Sequence, residues 1–243
     1  MSTDSSGVLV HHFDTLEQQH GSHRLGIWLF LLTEVLFFGG IFVAYTAYRI
    51  WYPESFAAGS AKLNVLIAGI NSLLLLTSSL TITMAIHAAH EGKQDSLKRF
   101  LLITIALAIA FLGFKAREYY LDYEEHLIPG RMFDMPVEGG MSPTQEIEHE
   151  NQQSGGNVNP KQVQLFFMFY YCMTGLHVLH MIVGIGLIGW LYILARRGFF
   201  EPKERYVSIE VTSLYWHFVD MMWFFLVALL YVAGPHTMKQ FHL

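Results

Sequence analysis

A histidine and a carboxylate, His217 and Asp220, sit inside one membrane-length apolar run at residues 213–234, SLYWHFVDMMWFFLVALLYVAG. An Asp at the centre of a helix in hydrocarbon costs roughly 2.5–3.5 kcal/mol on insertion scales, so such groups face other protein, a bound polar group or water. Two more apolar runs carry the same anomaly. In the first, Glu34 follows Arg24 by ten residues, a depth of about 15 Å at the helical rise. Its neighbours at helical spacing are Phe30, Leu31, Phe37 and Phe38. In the other, Thr174, His177 and the pair His180/Met181 fall on one helical face. Glu210, His217 and Asp220 lie near one face of the last run, and Arg196 closes the run before it. On this geometry Glu34, His180, Arg196, Glu210 and His217 gather in one half of a membrane. Such a set glues helices together, holds lipid head groups through Arg and His, or relays protons. Taken singly, each residue is explained by helix-to-helix hydrogen bonding. A fourth use is axial ligation of haem by histidines from different helices, His177 with His217 or His87 with His180, although nothing in the sequence selects a pair.

The elements that position these residues are apolar spans. Of the 243 residues, 53% are hydrophobic and 14% charged, against about 25% charged in a soluble domain, and mean hydropathy is +0.34. The chain therefore belongs to the membrane class. A formal charge of −5 speaks against nucleic-acid binding. Cys172 is the one cysteine, so neither an intrachain disulfide nor a thiolate cage forms. There is no CxxCH, Walker A loop, HExxH or nucleophile elbow. Five runs meet the requirement of about 20 residues for crossing the bilayer core: 25–48, 63–88, 97–114, 165–194 and 209–232. The expected fold is all-α, a polytopic membrane bundle of five transmembrane helices spanning residues 23–234. Short tails are expected at 1–22 and 235–243, with no cleavable leader in the first. Trp51, Tyr52, Tyr119 and Tyr120 read as interface belts. Gly39, Gly40, Gly69, Gly184, Gly186 and Gly189 permit close helix packing.

The connectors carry the charges. The first contains Pro53, read as a helix stop, and the second is a basic turn around Gly92. The third contains the exposed outer loop at about 120–163; its first part, REYYLDYEEHLIPG, is expected to extend the third helix into the interface, and its later polar part, MSPTQEIEHENQQSGGNVNP, to be an exposed, mobile loop. With five spans, Arg24, Lys93, Lys98, Arg99, Arg196, Arg197, Lys203 and Arg205 share one side in compact loops, which places the N-terminus in the cytoplasm and the C-terminus outside.

The ordered set HRLGIWLFLLTEVLFF, INSLLLLTSSLTITMA, FLGFKAREYY, TGLHVLHMIVG and EVTSLYWHFVDMMW resembles subunit III of haem–copper respiratory oxidases of the cytochrome c oxidase type. The motif-bearing positions are Glu34; Asn71, Ser78 and Ser79; Glu118 and Tyr119; His177 and His180; and Glu210, Tyr215, Trp216, His217, Asp220 and Trp223. The resemblance runs from about His23 to Gly234.

It implies a helical accessory subunit without haem or copper of its own, packed against catalytic subunit I, with subunit II in the same complex. Haem and copper would reside in those partners, and the subunit would protect the catalytic centre during turnover and support proton uptake. Longer relatives have seven spans in two bundles around a phospholipid-filled cleft, and this chain looks like the five-span bundle. Glu34, His180, Arg196 and Glu210 match lipid-contacting positions. The expected location is the bacterial plasma membrane. The nearest alternatives are the equivalent subunit of a quinol oxidase and the accessory protein of a nitric oxide reductase; a copurified subunit II with or without a dicopper centre separates them. A stand-alone b-type cytochrome and a small transporter are more remote. The stretch 132–161 departs from the family pattern. Its carboxylates either steer basic cytochrome c, contact a quinol-oxidising partner complex, or simply form a solvated variable loop.

Overall fold

The computed structural model describes residues 16–137, 140–154, 156–200 and 206–232. Every regular element among them is helical: α1 (Leu16–Trp51), α2 (Pro53–Ala61), α3 (Val65–His90), α4 (Gln94–Glu124), α5 (Pro143–Ser154), α6 (Pro160–Arg196) and α7 (Val207–Val227). A short 3-10 turn, Arg131–Asp134, precedes α5, and α7 ends in a π turn, Ala228–Val232. Five helices are long and apolar enough to cross a membrane: Leu25–Trp51, Val65–His90, Gln94–Glu124, Pro160–Arg196 and Val207–Tyr231.

Helix boundaries follow local chemistry. Asn64 Oδ1 accepts the backbone N–H groups of Leu66 and Ile67 at 3.1 and 3.2 Å, capping α3. Gly92 ends the α3 turn at φ +77°, where the Lys93 N–H reaches back to the Ala88 carbonyl at 2.9 Å. Gly198, φ +70°, does the same for α6. Pro53 does not merely stop α1; it opens α2, where its missing N–H costs nothing.

Two expectations are corrected. α1 begins at Leu16, inside the stretch read as a tail. α4 runs on past 114 to Glu124, the extension expected of the third helix, with Lys115, Glu118 and Asp122 turned inward and Arg117 and Glu124 exposed. The connector expected to be a mobile loop contains α5. There Ser142 N donates to Gln145 Oε1 (3.1 Å) and Gln145 N to Ser142 Oγ (3.2 Å), a reciprocal capping box. Ile147 is buried from α5 and Phe133 from the turn before it, and Lys62 pairs with Glu146. Glu138 lies outside the described residues.

The buried faces repeat every three and four residues. On α4 they are Leu97, Leu101, Thr104, Ala108, Phe111, Lys115, Glu118 and Asp122; on α3, Ala68, Asn71, Leu75, Ser78, Ile82, Ala85 and Ala89. A mean spacing of about 3.5 is the signature of helices packed along a left-handed seam. α1 buries far less: Leu31, Phe38 and Tyr45, one residue per seven.

The chain divides into two compact units. The first comprises Met1–Leu36, Leu74–Ile109 and His180–Met221; the second comprises Phe37–Leu73, Ala110–Leu179 and Met222–Leu243. In the first, Trp216 is fully buried, its Nε1 donating to Ser78 Oγ at 3.1 Å. In the second, a belt of rings including Tyr45, Phe56, Phe166 and Phe169 packs at centroid distances of 5.5–6.5 Å.

Candidate functional site

In the first unit, α1 and α6 bring Glu34 and His180 together. His180 Nε2 lies 3.0 Å from Glu34 Oε2, with side-chain exposures of 15% and 19%. The Tyr215 hydroxyl of α7 donates to the His180 backbone carbonyl at 3.1 Å, and the Phe30 and Tyr215 rings lie 6.1 Å apart. A mid-helix carbonyl has a second lone pair to offer, so Tyr215 ties α7 to α6 without breaking the α6 ladder. The carboxyl and the imidazole satisfy one another, as an ion pair or as a neutral hydrogen bond, at a level where neither tolerates isolation. Both side chains remain partly open at the surface of this chain.

The other members of the expected cluster are placed differently. Glu210 faces His90, 3.3 Å from its Nε2. His217 Nδ1 lies 2.8 Å from Ser79 Oγ, and its Nε2 faces Thr83 Oγ1 at 3.5 Å. Asp220 is 4% exposed beside Ser79. Arg196 is exposed at the last turn of α6. The histidines proposed for haem are engaged in other ways: His180 on Glu34, His217 on Ser79, and His87 on Glu91 at 3.3 Å.

In the second unit, His177 is fully buried, its ring tilted against Trp223 (centroids 5.2 Å) and edge-on to Phe111 (5.6 Å). The Trp223 Nε1 donates to Ser72 Oγ at 3.1 Å. Thr174, His177 and Met181 do share a buried face of α6, whereas His180 lies off it.

The sequence reading missed Lys115 as a site residue. Its side chain is 1% exposed, and its Nζ donates to Glu118 Oε2 (2.9 Å), Tyr170 OH (3.0 Å) and Tyr231 OH (3.0 Å). All three ammonium hydrogens are thus used. Tyr231 in turn donates to Glu118 Oε1 at 2.6 Å. The rings of Tyr170, Tyr119, Trp223 and Tyr231 surround the ammonium at 4.6, 5.1, 5.5 and 5.8 Å. Tyr231 sits in the π turn, whose looser hydrogen bonding leaves carbonyls for other partners. Leu229 O accepts from Tyr45 OH (2.9 Å) and Arg49 Nη1 (3.0 Å), and Leu230 O from Ser60 Oγ (2.7 Å). The signal that locates Lys115 is the seven-residue seam of α4, which reaches it four residues after Phe111.

A family model described as cytochrome c oxidase subunit III matches residues 5–123 and 162–235. Cytochrome c oxidase subunit 3 of Synechocystis sp. is 28% identical over 221 residues, covering 88% of this chain and 80% of the relative. That of Thermostichus vulcanus is 27% identical over 237 residues, covering 96% of each. A protein named probable cytochrome c oxidase subunit 3 from Mycobacterium tuberculosis is 29% identical over 209 residues, covering 85% of this chain and 86% of the relative. The family match skips the connector that folds as α5.

Proposed function

Because the chain belongs to the cytochrome c oxidase subunit III family, a family of multi-pass helical membrane subunits, we propose that it is the non-catalytic accessory subunit of a terminal oxidase. Its partners, subunits I and II, carry the haem and copper, reduce oxygen to water and pump protons. The chain packs beside subunit I, holds structural phospholipid at its flank and supports proton uptake. Its orientation is N-terminus cytoplasmic and C-terminus outside, in the plasma membrane of a bacterium.

The observation that carries this reading is the Glu34–His180 pair, a polar contact deep in apolar helices with a partly open edge. In the intact oxidase, Glu34→Ala is expected to leave the initial rate of oxygen reduction close to wild type. Bound phospholipid should fall and activity should decay faster during turnover. Wild-type phospholipid content together with wild-type durability would remove any functional role for Glu34. The accessory assignment has its own test, a gentle-detergent pull-down of the tagged chain with a reduced-minus-oxidised spectrum. Haem bands arriving with a large His-rich subunit support it, whereas a Soret band on the purified chain alone overturns it.

A second part of the reading concerns the α5 connector. Residues 124–161 hold seven acids (Glu124, Glu125, Asp134, Glu138, Glu146, Glu148, Glu150) and two bases (Arg131, Lys161), a net −5, which equals the formal charge of the whole chain. A field of that sign favours encounter with a basic electron donor such as cytochrome c. Replacing the exposed Glu124, Glu125 and Glu148 with Gln is expected to flatten the ionic-strength dependence of cytochrome c oxidation. An unchanged salt dependence would leave the connector a structural cap.

A further inference from the structure

We propose that the crevice between α3 and α7 in the first unit is where a transmembrane helix of the catalytic subunit docks, through a hydrogen-bonding side chain that meets His217 in mid-membrane. This inference rests on the accessory-subunit reading above and adds which face of the chain the partner covers. His217 lies ten residues after the start of α7, and Ser79 eleven before the end of α3. At the helical rise these depths are about 15–17 Å, the middle of a core about 30 Å thick. Trp216 turns inward onto Ser78 and is fully buried. His217, the next residue, is half-buried, and Thr83, one turn from Ser79, is exposed.

The hydrogen bonds of this group do not close. His217 Nδ1 lies 2.8 Å from Ser79 Oγ. Among the described residues, its Nε2 faces Thr83 Oγ1 at 3.5 Å, the outer limit of a hydrogen bond. Thr83 has already given its one hydrogen to the Ser79 carbonyl, at 2.9 Å. With the ring hydrogen on Nε2, the acceptor is therefore a poor one; with it on Nδ1, Nε2 has no donor. Lipid chains supply neither, and a half-exposed imidazole at this depth is costly against them. A hydroxyl alone makes no such demand: the exposed Thr33 and Thr46 of α1 donate to their own helix at 2.7 and 2.8 Å. Around His217 the surface is apolar, with Leu80 56%, Met84 41% and Met221 59% exposed. Where the two helices end, His90 Nε2 and Glu210 Oε1 form a polar rim at 3.3 Å. Neither α3 nor α7 carries a Lys or Arg, so an anionic head group finds no counter-charge on this face. A polar centre within an apolar surround suits a neighbouring helix that brings its own polar side chain.

The test is site-specific photocross-linking in the intact, membrane-embedded oxidase. Benzoylphenylalanine in place of Leu80 or of Met221 should join this chain to the haem-bearing subunit. Adducts with lipid alone, or with a second copy of this chain, overturn the proposal. So do cross-links to the haem-bearing subunit that arise from Trp190 of α6, 62% exposed, and from neither crevice position, although the accessory reading then stands. A tagged chain that never copurifies with a haem-bearing subunit overturns that reading as well. The polar contact has its own readout, the rate at which the chain leaves the purified complex in mild detergent. His217→Leu should raise it about three- to twentyfold, the range for one intramembrane hydrogen bond. His217→Gln keeps a donor and an acceptor and should restore most of the loss, while Ser79→Ala, which removes only the internal bond, should stay close to wild type. Wild-type behaviour of His217→Leu overturns the contact, as does an equal loss in Ser79→Ala, which would make His217 an internal tie.

Discussion

Lys115→Met should destabilise the chain within its complex by about 3–5 kcal/mol, the cost of breaking a buried ion pair by removing one partner. The reason lies less in the lost pair than in what remains. Glu118, 3% exposed, would keep one hydrogen bond from Tyr231 and no counter-charge. Tyr170 OH and Tyr231 OH would lose the donor they share, and four aromatic rings would face a thioether instead of an ammonium. The double variant Lys115→Met/Glu118→Gln should recover most of the loss, since a neutral amide still accepts from Tyr231 and leaves no bare charge. Thermal melting in mild detergent, followed by retention of the chain in the complex, measures both. A Lys115→Met protein as stable as wild type, or a double variant no better than the single, would mean that the pair is not what holds the second unit.

The same cluster shows where sequence reasoning stops short. Ending the third span at 114 treats the first Lys as the edge of the membrane-embedded helix. That rule holds when charges face water and fails when the packing seam continues through them. Counting by sevens from Leu97 and Leu101 puts Lys115, Glu118 and Asp122 on the core side, a pattern visible in the chain but weak beside the apparent cost of burying charge. The missing information is the partner: Tyr231 lies 113 residues from Glu118, and no local spacing links them. α5 failed to register for the opposite reason. Its signal, Ser142-Pro143-Thr144-Gln145, is entirely local, a capping box with proline at the first helical position, but it was outweighed by the polar composition around it. Glu34 was legible as an anomaly at depth, as were His180 and His217. Which of them would meet was not, because depth orders residues along the membrane normal and says nothing of which helix faces which. Hence Glu34 found His180, while Glu210 went to His90 and His217 to Ser79.

Helix proximity is the property that the glycines report, and Gly184 tests it. A methyl group added there would lie 2.7 and 2.8 Å from two atoms of the Trp216 six-membered ring. By contrast, the same addition at Gly39, Gly40, Gly69, Gly186 or Gly189 meets nothing within 4 Å. Trp216 has little freedom to give way, being fully buried with its indole N–H fixed on Ser78 Oγ at 3.1 Å. Gly184→Ala should therefore destabilise the first unit by about 1–3 kcal/mol, the usual cost of overpacking, while Gly186→Ala should be close to neutral. The clash is with the outer ring of the indole, so Trp216→Phe in the Gly184→Ala background should return part of the loss, even though Trp216→Phe alone forfeits a hydrogen bond and packing volume. Thermal melts of the two single variants and the double give the coupling between the positions. A coupling near zero would mean that α6 and α7 separate to admit the methyl group. Because Tyr215, next to Trp216, is what ties α7 to the carbonyl of His180, such a separation should also weaken the Glu34–His180 pair. Loss of phospholipid in Gly184→Ala, with oxygen reduction unchanged, would then connect the packing of these two helices to the proposed lipid site.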